Sequence, residues 1–382
     1  MQVLGLHIAD FAILLVYLLG ITALGLWVSR SVRTEGDYFL GGRRFGKFFP
    51  ILHQFGTGTH ADEPVAVTGK AHEIGLAGIW YQWLWLFCTP FYWLLAPVFR
   101  RLRYVTTGDF FERRYGACLG HAYAVLGLSI FMLNIGIMLN GTGRIVDAVT
   151  SGAIPHLWAI VIITVFFVVY AIVGGMVAAV VTDAVQGVFI VVLSFVLLPF
   201  VMGRVGGFHQ LHQVLSPEKL SLVAPSDVTL FFIVMTVVNA LVNIVTQPHT
   251  NENCGVARDE RDAAVGFVFG PAIKRVCTIA WAFTGVAALA LYPDLAHHED
   301  AFGAAARDLL PVGLVGLMVA SIMAANMSSC DSFLVDASAL FTRNLYQLFP
   351  RLAYLLPGAP LVPLLLLGAV ASARRRSRPG AK

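Results

Sequence analysis

The chain has 382 residues, of which 58% are hydrophobic and only 13% are charged. Soluble globular proteins carry roughly 25% charged residues, so this composition excludes an ordinary soluble domain and indicates a protein that crosses a membrane several times. The net charge of +4 is scattered along the chain rather than gathered on one basic face, and we therefore expect no nucleic-acid partner.

Ten apolar segments follow one another along the chain. Nearly all reach the length of about 20 residues that a membrane-spanning helix needs. The first has no Lys or Arg before it and is too long for the hydrophobic region of a signal peptide, so we interpret residues 1–30 as a retained extra helix. The segments lie near residues 8–29, 48–68, 76–99, 119–143, 154–174, 183–203, 228–248, 263–292, 307–341 and 352–373.

Basic residues are concentrated in alternate loops, which predicts an orientation. The positive-inside rule then puts the N-terminus outside and the odd-numbered loops in the cytoplasm. We therefore expect a multi-pass protein of the plasma membrane. The basic tail, residues 374–382, breaks this pattern, because ten spans from an outside start would leave it outside. The cations that carry the prediction are Arg30, Arg33, Arg43, Arg44, Lys47, Arg100, Arg101, Arg103, Arg113, Arg114, Arg258, Arg261, Lys274 and Arg275.

The second segment, PILHQFGTGTHADEPVAVTG, is a poor ordinary helix. It contains Gly58 and Pro64 beside the polar residues His60, Asp62 and Glu63. Glycine, proline and polar groups inside a span predict a broken helix that lines a cavity.

The same polar residues raise the alternative of a metalloenzyme, which their spacing does not favour. The sequence HADE is not an HExxH zinc motif, and the chain has neither a G-x-S-x-G nucleophile motif nor a phosphate loop ending in GK[ST]. We therefore expect no enzymatic activity and no cofactor.

The ninth segment is the other span that is unsuited to an ordinary helix, because SIMAANMSSCDSF closes its apolar run. Ala325, Ser328 and Ser329 stand at i, i+3 and i+4 and share one helix face. Two hydroxyls and a backbone carbonyl offer the neutral oxygens that hard cations prefer. The alternative is that the serines bond back to their own i−4 carbonyls, and this stretch alone favours that alternative.

Several stretches, in order, resemble the sodium:solute symporter family of sodium-coupled sugar, proline and vitamin carriers. They cover residues 37 to about 346 and read GDYFLGGRRFGKFFP, FGTGTHADEPVAVTGKAHEIGLAGIWY, TTGDFFERRYG, YAIVGGMVAAVVTDAVQG, QPHTNENCGVARDERDA and MSSCDSFLVDASALFTRNLY. The resemblance implies an all-α polytopic membrane protein with a LeuT-like inverted-repeat transporter fold of about ten transmembrane helices. In that fold residues 1–382 form a single transmembrane domain, with a first repeat at 45–203 and an incomplete second repeat at 228–373.

The resemblance also implies functional residues. Asp183, in VVTDAVQG, matches an acidic position near the inner sodium route, the alternative being an exposed carboxylate at a helix end. Gly58 stands where proline carriers have an aspartate, so proline becomes a less suitable substrate. The implied sodium ligands are the carbonyls of Gly56, Thr59 and Ala325 and the hydroxyls of Ser328 and Ser329.

Glu63 and His60 are the predicted substrate contacts. Glu63 matches a position at which sugar carriers present a neutral or imidazole contact, and a carboxylate there suits a cationic or hydroxyl-rich solute. The alternative is a structural role for Glu63, paired with Lys70 or with His60.

These observations predict a secondary transporter that couples sodium influx to uptake of a small polar solute by alternating access. Its partners would be sodium as the sole metal ion and co-substrate, the solute and the lipid bilayer. The rivals are a non-transporting sensor or regulatory member of the same fold and an intramembrane hydrolase.

The resemblance fades after Tyr346, where a Pro-, Leu- and Arg-rich stretch begins that contains Pro357, Pro360 and Pro363. From this we expect a truncated or frameshifted member that transports poorly alone. The alternative is a natural short form whose missing helices come from a partner chain.

Overall fold

The computed structural model describes residues 2–3, 6–150, 152–223 and 228–346. The tenth predicted segment, 352–373, and the basic tail, 374–382, lie outside the described residues. The strands are β1 (Gln2–Val3) and β2 (Leu6–His7). The helices are α1 (Ile8–Ser29), α2 (Glu35–Leu40), α3 (Phe48–Thr57), α4 (Asp62–Ile74), α5 (Trp80–Trp83), α6 (Tyr92–Leu102), α7 (Thr107–Tyr115), α8 (Ala117–Val149), α9 (His156–Val205), α10 (Gly207–Val214), α11 (Leu230–Thr246), α12 (Thr250–Gly255), α13 (Glu260–Leu291), α14 (Ala301–Leu309) and α15 (Leu314–Leu340).

Within the described residues, α1, α8, α9, α13 and α15 are long and apolar enough to cross a membrane. Apart from the short antiparallel ladder of β1 and β2, the described elements are helical, which confirms the predicted all-α polytopic class. Helix α9 joins two predicted segments, 154–174 and 183–203, across Gly175. The backbone there has φ +53° and ψ −144°, a conformation that is open essentially only to glycine, so the two segments meet at a kink rather than at a loop.

Two pairs of short helices are each separated by a break of three or four residues. The predicted break in the second segment lies between α3 and α4, at residues 58–61. A second break, which the sequence analysis did not predict, separates α11 from α12 at residues 247–249 and contains Pro248. The ninth segment, by contrast, was expected to be a poor helix, and this was wrong. It forms the continuous helix α15, because its polar side chains are buried among other polar groups.

Helix α15 is buried along nearly its whole length, and it organises the core. It packs against α1, α8 and the first half of α9, while α13 packs against α3, α4 and the second half of α9. Asp10 of α1 is buried at the start of α15, and its Oδ1 accepts hydrogen bonds from the N–H groups of Gly313 and Gly316, both at 2.7 Å. A carboxylate at a helix N-terminus satisfies otherwise unpaired donors and complements the helix dipole.

The loop that precedes α3 is ordered by a capping box at α2. The Thr34 hydroxyl accepts from the Asp37 N–H, while the Asp37 carboxylate accepts from the Thr34 N–H. Partial burial opposes ionisation of Asp37, but hydrogen bonds from the backbone of Arg33 and from Thr34 outweigh it and lower the pKa of this carboxyl. The same box, built from Thr106 and Asp109, begins α7.

Candidate cation and solute sites

Asp183 lies at the centre of a buried polar cluster where α3, α9 and α15 meet. Its side chain is fully buried in the interior of α9, so the alternative of an exposed carboxylate at a helix end is wrong. Ser328 Oγ donates to Asp183 Oδ1 at 2.5 Å, and the Thr57 hydroxyl lies 3.3 Å from Asp183 Oδ2. A buried carboxylate needs compensating groups, and here hydroxyls from two other helices surround it.

The two serines of α15 behave differently from one another. Ser329 Oγ lies 3.2 Å from the Ala325 carbonyl, the back-bonding geometry that the sequence alone favoured. It also lies 3.1 Å from the carbonyl of Thr57, at the broken end of α3. Ser328 makes no such back-bond among its described contacts, since its hydroxyl is directed at Asp183.

Gly56 allows α3 to approach α15 at this point. A Cβ atom built on Gly56 would lie 2.5 Å from Ser328 Oγ and 3.5 Å from Asp183 Cβ, so any larger residue would push these helices apart. The Gly56 carbonyl accepts from the Thr59 N–H at 3.1 Å, and Thr59 is fully buried with no hydrogen-bond partner for its hydroxyl. The structure therefore brings Gly56, Ala325, Ser328 and Ser329 together and places Thr59 in the adjoining turn.

His53 completes the cluster, and sequence reasoning missed it. Its Nδ1 lies 2.6 Å from Asp183 Oδ2, and its Nε2 lies 3.1 Å from Asn253 Oδ1 of α12. The histidine stands one helical turn before Thr57, and this i, i+4 spacing is the signal that was available in the sequence. The candidate cation site, as we call it from here on, consists of Gly56, Thr57, Thr59, Asp183, Ala325, Ser328 and Ser329.

A cavity of about 340 Å³ adjoins the candidate cation site, and we call it the solute cavity. Residues from both helix breaks line it, together with α6, α8, α13 and α15. Its size lies at the lower end of the range of roughly 300–1,000 Å³ for small-molecule pockets. The polar lining residues include Gln54, Thr57, His60, Glu63, Thr89, Tyr92, Asn134, Gln247, His249, Lys274 and Arg275.

Glu63 lies in the solute cavity, but its partner differs from both that were considered. Lys274 Nζ of α13 lies 2.5 Å from Glu63 Oε1 and also donates to the Gly58 carbonyl. Lys70 instead pairs with Glu73 on the exposed side of α4. His60 meets Glu63 through its backbone: its N–H donates to Glu63 Oε2 at 3.3 Å, and its carbonyl accepts from the Glu63 N–H at 3.3 Å. Lys274 therefore connects Gly58, the first residue of the break, with Glu63 in the first turn of α4.

Lys274 itself corrects an interpretation of the sequence, in which it was counted with Arg275 among the cations of a loop. Both residues are buried within α13, each about 7% exposed. Arg275 donates to the Gln82 carbonyl at 2.8 Å, and Gln82 in turn donates to Glu63 Oε1 at 3.0 Å. An ionisable residue inside an apolar span ordinarily has a partner, and that rule was the available signal.

Two imidazoles and one unpartnered amide face the solute cavity. The His249 ring is stacked near Phe333, with centroids 5.5 Å apart, and the His60 ring meets the same phenyl edge-on at 6.0 Å. Gln54 Nε2 is buried and has no hydrogen-bond partner. An unsatisfied buried donor is costly unless something else bonds to it, so the cavity is suited to an oxygen-bearing solute.

The broken helices, the buried oxygens between them and the adjoining polar cavity define a multi-pass membrane protein of the LeuT-like inverted-repeat class. Residues 38–355 match the family model of the sodium:solute symporter family, and the chain belongs to that family. The expected fold class and family are thereby confirmed.

Individual relatives agree with this placement. The chain is 27% identical to the sodium/glucose cotransporter 4 of Danio rerio over 90% of the chain and 58% of the relative. It is 26% identical to the sodium/pantothenate symporter of Escherichia coli (strain K12) over 87% of the chain and 71% of the relative. A solved structure of a Na+-coupled sialic acid symporter superposes with a TM-score of 0.80 at 19% identity, covering 97% of this chain and 80% of that one.

The chain spans less than three fifths of the length of the vertebrate sodium/glucose cotransporters that it matches, 58% for Danio rerio and 57% for Mus musculus.

Proposed function

We propose that this protein couples the entry of sodium to the uptake of a small, hydroxyl-bearing polar solute by alternating access. Sodium is the co-substrate, held by the candidate cation site. Its ligands are the Ser328 and Ser329 hydroxyls and the carbonyls of Gly56, Thr59 and Ala325. Asp183 supplies the negative charge beside them, on the inner side of the sodium route.

One observation carries this proposal, namely that Thr57 belongs to both sites. Its carbonyl accepts from Ser329, its hydroxyl faces Asp183, and the residue also lines the solute cavity. A cation that bridges α15 to the end of α3 would hold the cavity wall in one conformation. The affinity for solute would then rise with sodium, and by linkage the affinity for sodium would rise with solute.

The solute class is inferred from the lining of the cavity. Glu63, His60 and the Gln54 amide together offer acceptors and donors for hydroxyl groups. The Glu63–Lys274 pair is neutral as a whole, and Arg275 leaves one positive charge on the lining. Gly58 argues against proline, because it stands where the broken helix of proline carriers has an aspartate. We therefore favour a polyhydroxylated or vitamin-like solute.

The location that fits this function is the plasma membrane, with the N-terminus outside. The proposal is supported by the basic residues between α1 and α3 and between α6 and α8, which would face the cytoplasm.

The experiment that tests the function has two stages. A thermal-shift screen against sugars, amino acids, carboxylates and quaternary amines, with and without sodium, would first identify a stabilising solute. Uptake of that solute, labelled, would then be measured in liposomes with an inward sodium gradient.

Uptake that collapses without the gradient supports a symporter, whereas sodium-dependent binding without uptake favours a non-transporting sensor. Chemical conversion of the solute would indicate an intramembrane hydrolase. The same assay decides whether the chain transports without a partner chain.

A matched variant separates the two sites. Glu63→Gln keeps the size of the side chain and removes its charge, so it should change solute affinity much more than sodium affinity, apart from their linkage. Because Glu63→Gln also leaves Lys274 unpaired, folding is measured in parallel by thermal unfolding. An equal loss of folding and of every activity would indicate that Glu63 acts in structure rather than in solute binding.

A further inference from the structure

A pair of histidines lies away from both candidate sites, where the loop between α13 and α14 meets the end of α4. His72, on the last turn of α4, is fully buried, and His298, at the start of the turn His298–Asp300, is exposed. Their Nδ1 atoms are 2.9 Å apart, and their ring centroids are 5.1 Å apart. The loop approaches closely here, since a Cβ on Gly69 would lie 3.0 Å from Glu299 Cα.

The environment of His72 determines which of its nitrogens is free. Its Nε2 lies 2.9 Å from the backbone carbonyl of Tyr292. A carbonyl can only accept, so Nε2 carries the hydrogen and the Nδ1 of the neutral ring presents a lone pair toward His298. Histidines that bind metals ordinarily donate their other N–H to such a carbonyl, which fixes the tautomer and the ring orientation.

The distance between the two nitrogens also fits a shared metal ion. With Zn–N bonds of about 2.0–2.1 Å, two ligands at a tetrahedral angle are separated by roughly 3.3 Å, so the loop would need to move by only a few tenths of an ångström. The exposed side of His298 leaves room for water to complete the coordination. One group opposes binding: Lys219, whose Nζ donates to the Glu73 carbonyl at 2.7 Å, repels positive charge at His72.

We propose that His72 and His298 form a site for a borderline divalent transition metal such as Zn²⁺, in which the ion joins the α13–α14 loop to α4. Imidazole nitrogens are suited to Zn²⁺ and Cu²⁺. The loop residues Leu295, Glu299 and Asp300 also line a second cavity, of about 690 Å³, so the bound ion would hold one wall of that cavity in place.

Cu²⁺ serves as the probe, because electron paramagnetic resonance counts the nitrogens bound to it. The untagged 382-residue chain in detergent should bind one Cu²⁺ through two imidazole nitrogens, and Zn²⁺ should displace it. His298→Ala, at an exposed position, should leave one nitrogen and weaken binding about tenfold or more, and His72→Ala should do the same. Lys219→Met should tighten binding by removing the repelling charge.

The control is His209→Ala, an exposed histidine that contacts Gln213, which should leave the spectrum and the affinity unchanged. The proposal is overturned if the wild-type chain shows no saturable binding, since the pair is then a hydrogen bond that docks the loop. It is equally overturned if His298→Ala binds Cu²⁺ as tightly as wild type with an unchanged nitrogen pattern. Neither readout depends on transport.

Discussion

Asp183 and Ser328 illustrate how the chemistry of a single residue changes with its surroundings. Each would be costly inside a membrane helix, and together they satisfy one another while leaving hydroxyl lone pairs and nearby carbonyls for a cation. The functional interpretation therefore depends on contacts between helices rather than on either side chain alone.

The serine hydroxyls provide the first test at this scale. Ser328→Ala and Ser329→Ala each remove one oxygen, and a hydrogen-bonding contact to a charged group is worth about 1.5–3 kcal/mol, so sodium affinity should fall by roughly ten- to a hundredfold with near-normal expression. The measurement is sodium-dependent thermal stabilisation of the purified protein. Ser338→Ala is the matched control, because Ser338 only bonds back to the Leu334 carbonyl on the same helix. Unchanged sodium dependence in both variants would show that these two hydroxyls do not bind sodium.

The pair of Glu63 and Lys274 provides the second test. Lys274→Met leaves a buried carboxylate unpaired, and breaking a buried ion pair costs about 3–5 kcal/mol. Lys70→Met breaks an exposed pair on the neighbouring face and should cost less than about 1 kcal/mol. Thermal unfolding in detergent should show a large loss for the first variant, and the additional change Glu63→Gln should restore much of it. A small loss, similar to that of Lys70→Met, would mean that the buried pair contributes little.

At the scale of elements, much of the site was predictable and some of it was not. Periodicity alone placed Ala325, Ser328 and Ser329 on one face, and glycine and proline indicated the break before α4. The partners could not be predicted, since His53 and Asp183 are 130 positions apart in the sequence and meet only through tertiary packing. The break at 247–249 was missed although Pro248 was visible, because the predicted segment ended at residue 248 and the polar run after it, HTNENCG, gave no apolar signal for a second helix.

The kink in α9 depends on Gly175, which predicts a contrast between two glycines of one helix. Gly175→Ala forces a strained backbone and brings a methyl group against the Tyr38 backbone and ring, so stability should fall by at least about 1–3 kcal/mol. Gly203→Ala has no atom within 4 Å of the new methyl group and should be neutral or stabilising by about 0.5–1 kcal/mol. Thermal unfolding of both variants measures the difference. Equal changes in stability for the two variants would contradict the claim that the kink requires glycine at position 175.

At the scale of the whole molecule, the proposed orientation can be tested with one cysteine. Cys118 is exposed, whereas Cys88, Cys254, Cys277 and Cys330 are buried. It lies at the start of α8, beside Arg113 and Arg114, on the side that we propose faces the cytoplasm. A membrane-impermeant maleimide should therefore label Cys118 only after the cells are permeabilised, and Cys118→Ser should abolish the labelling. Labelling in intact cells would show that Cys118 faces outward and would contradict the proposed orientation.

The central claim is that sodium joins α15 to the broken end of α3. Hydrogen–deuterium exchange of the purified chain, compared in sodium chloride and in potassium chloride of equal ionic strength, tests this most directly. We predict sodium-specific protection confined to peptides that cover residues 53–60 and 322–332, and its loss in Asp183→Asn. Exchange that is identical in the two salts, or protection that survives in Asp183→Asn, would contradict the claim.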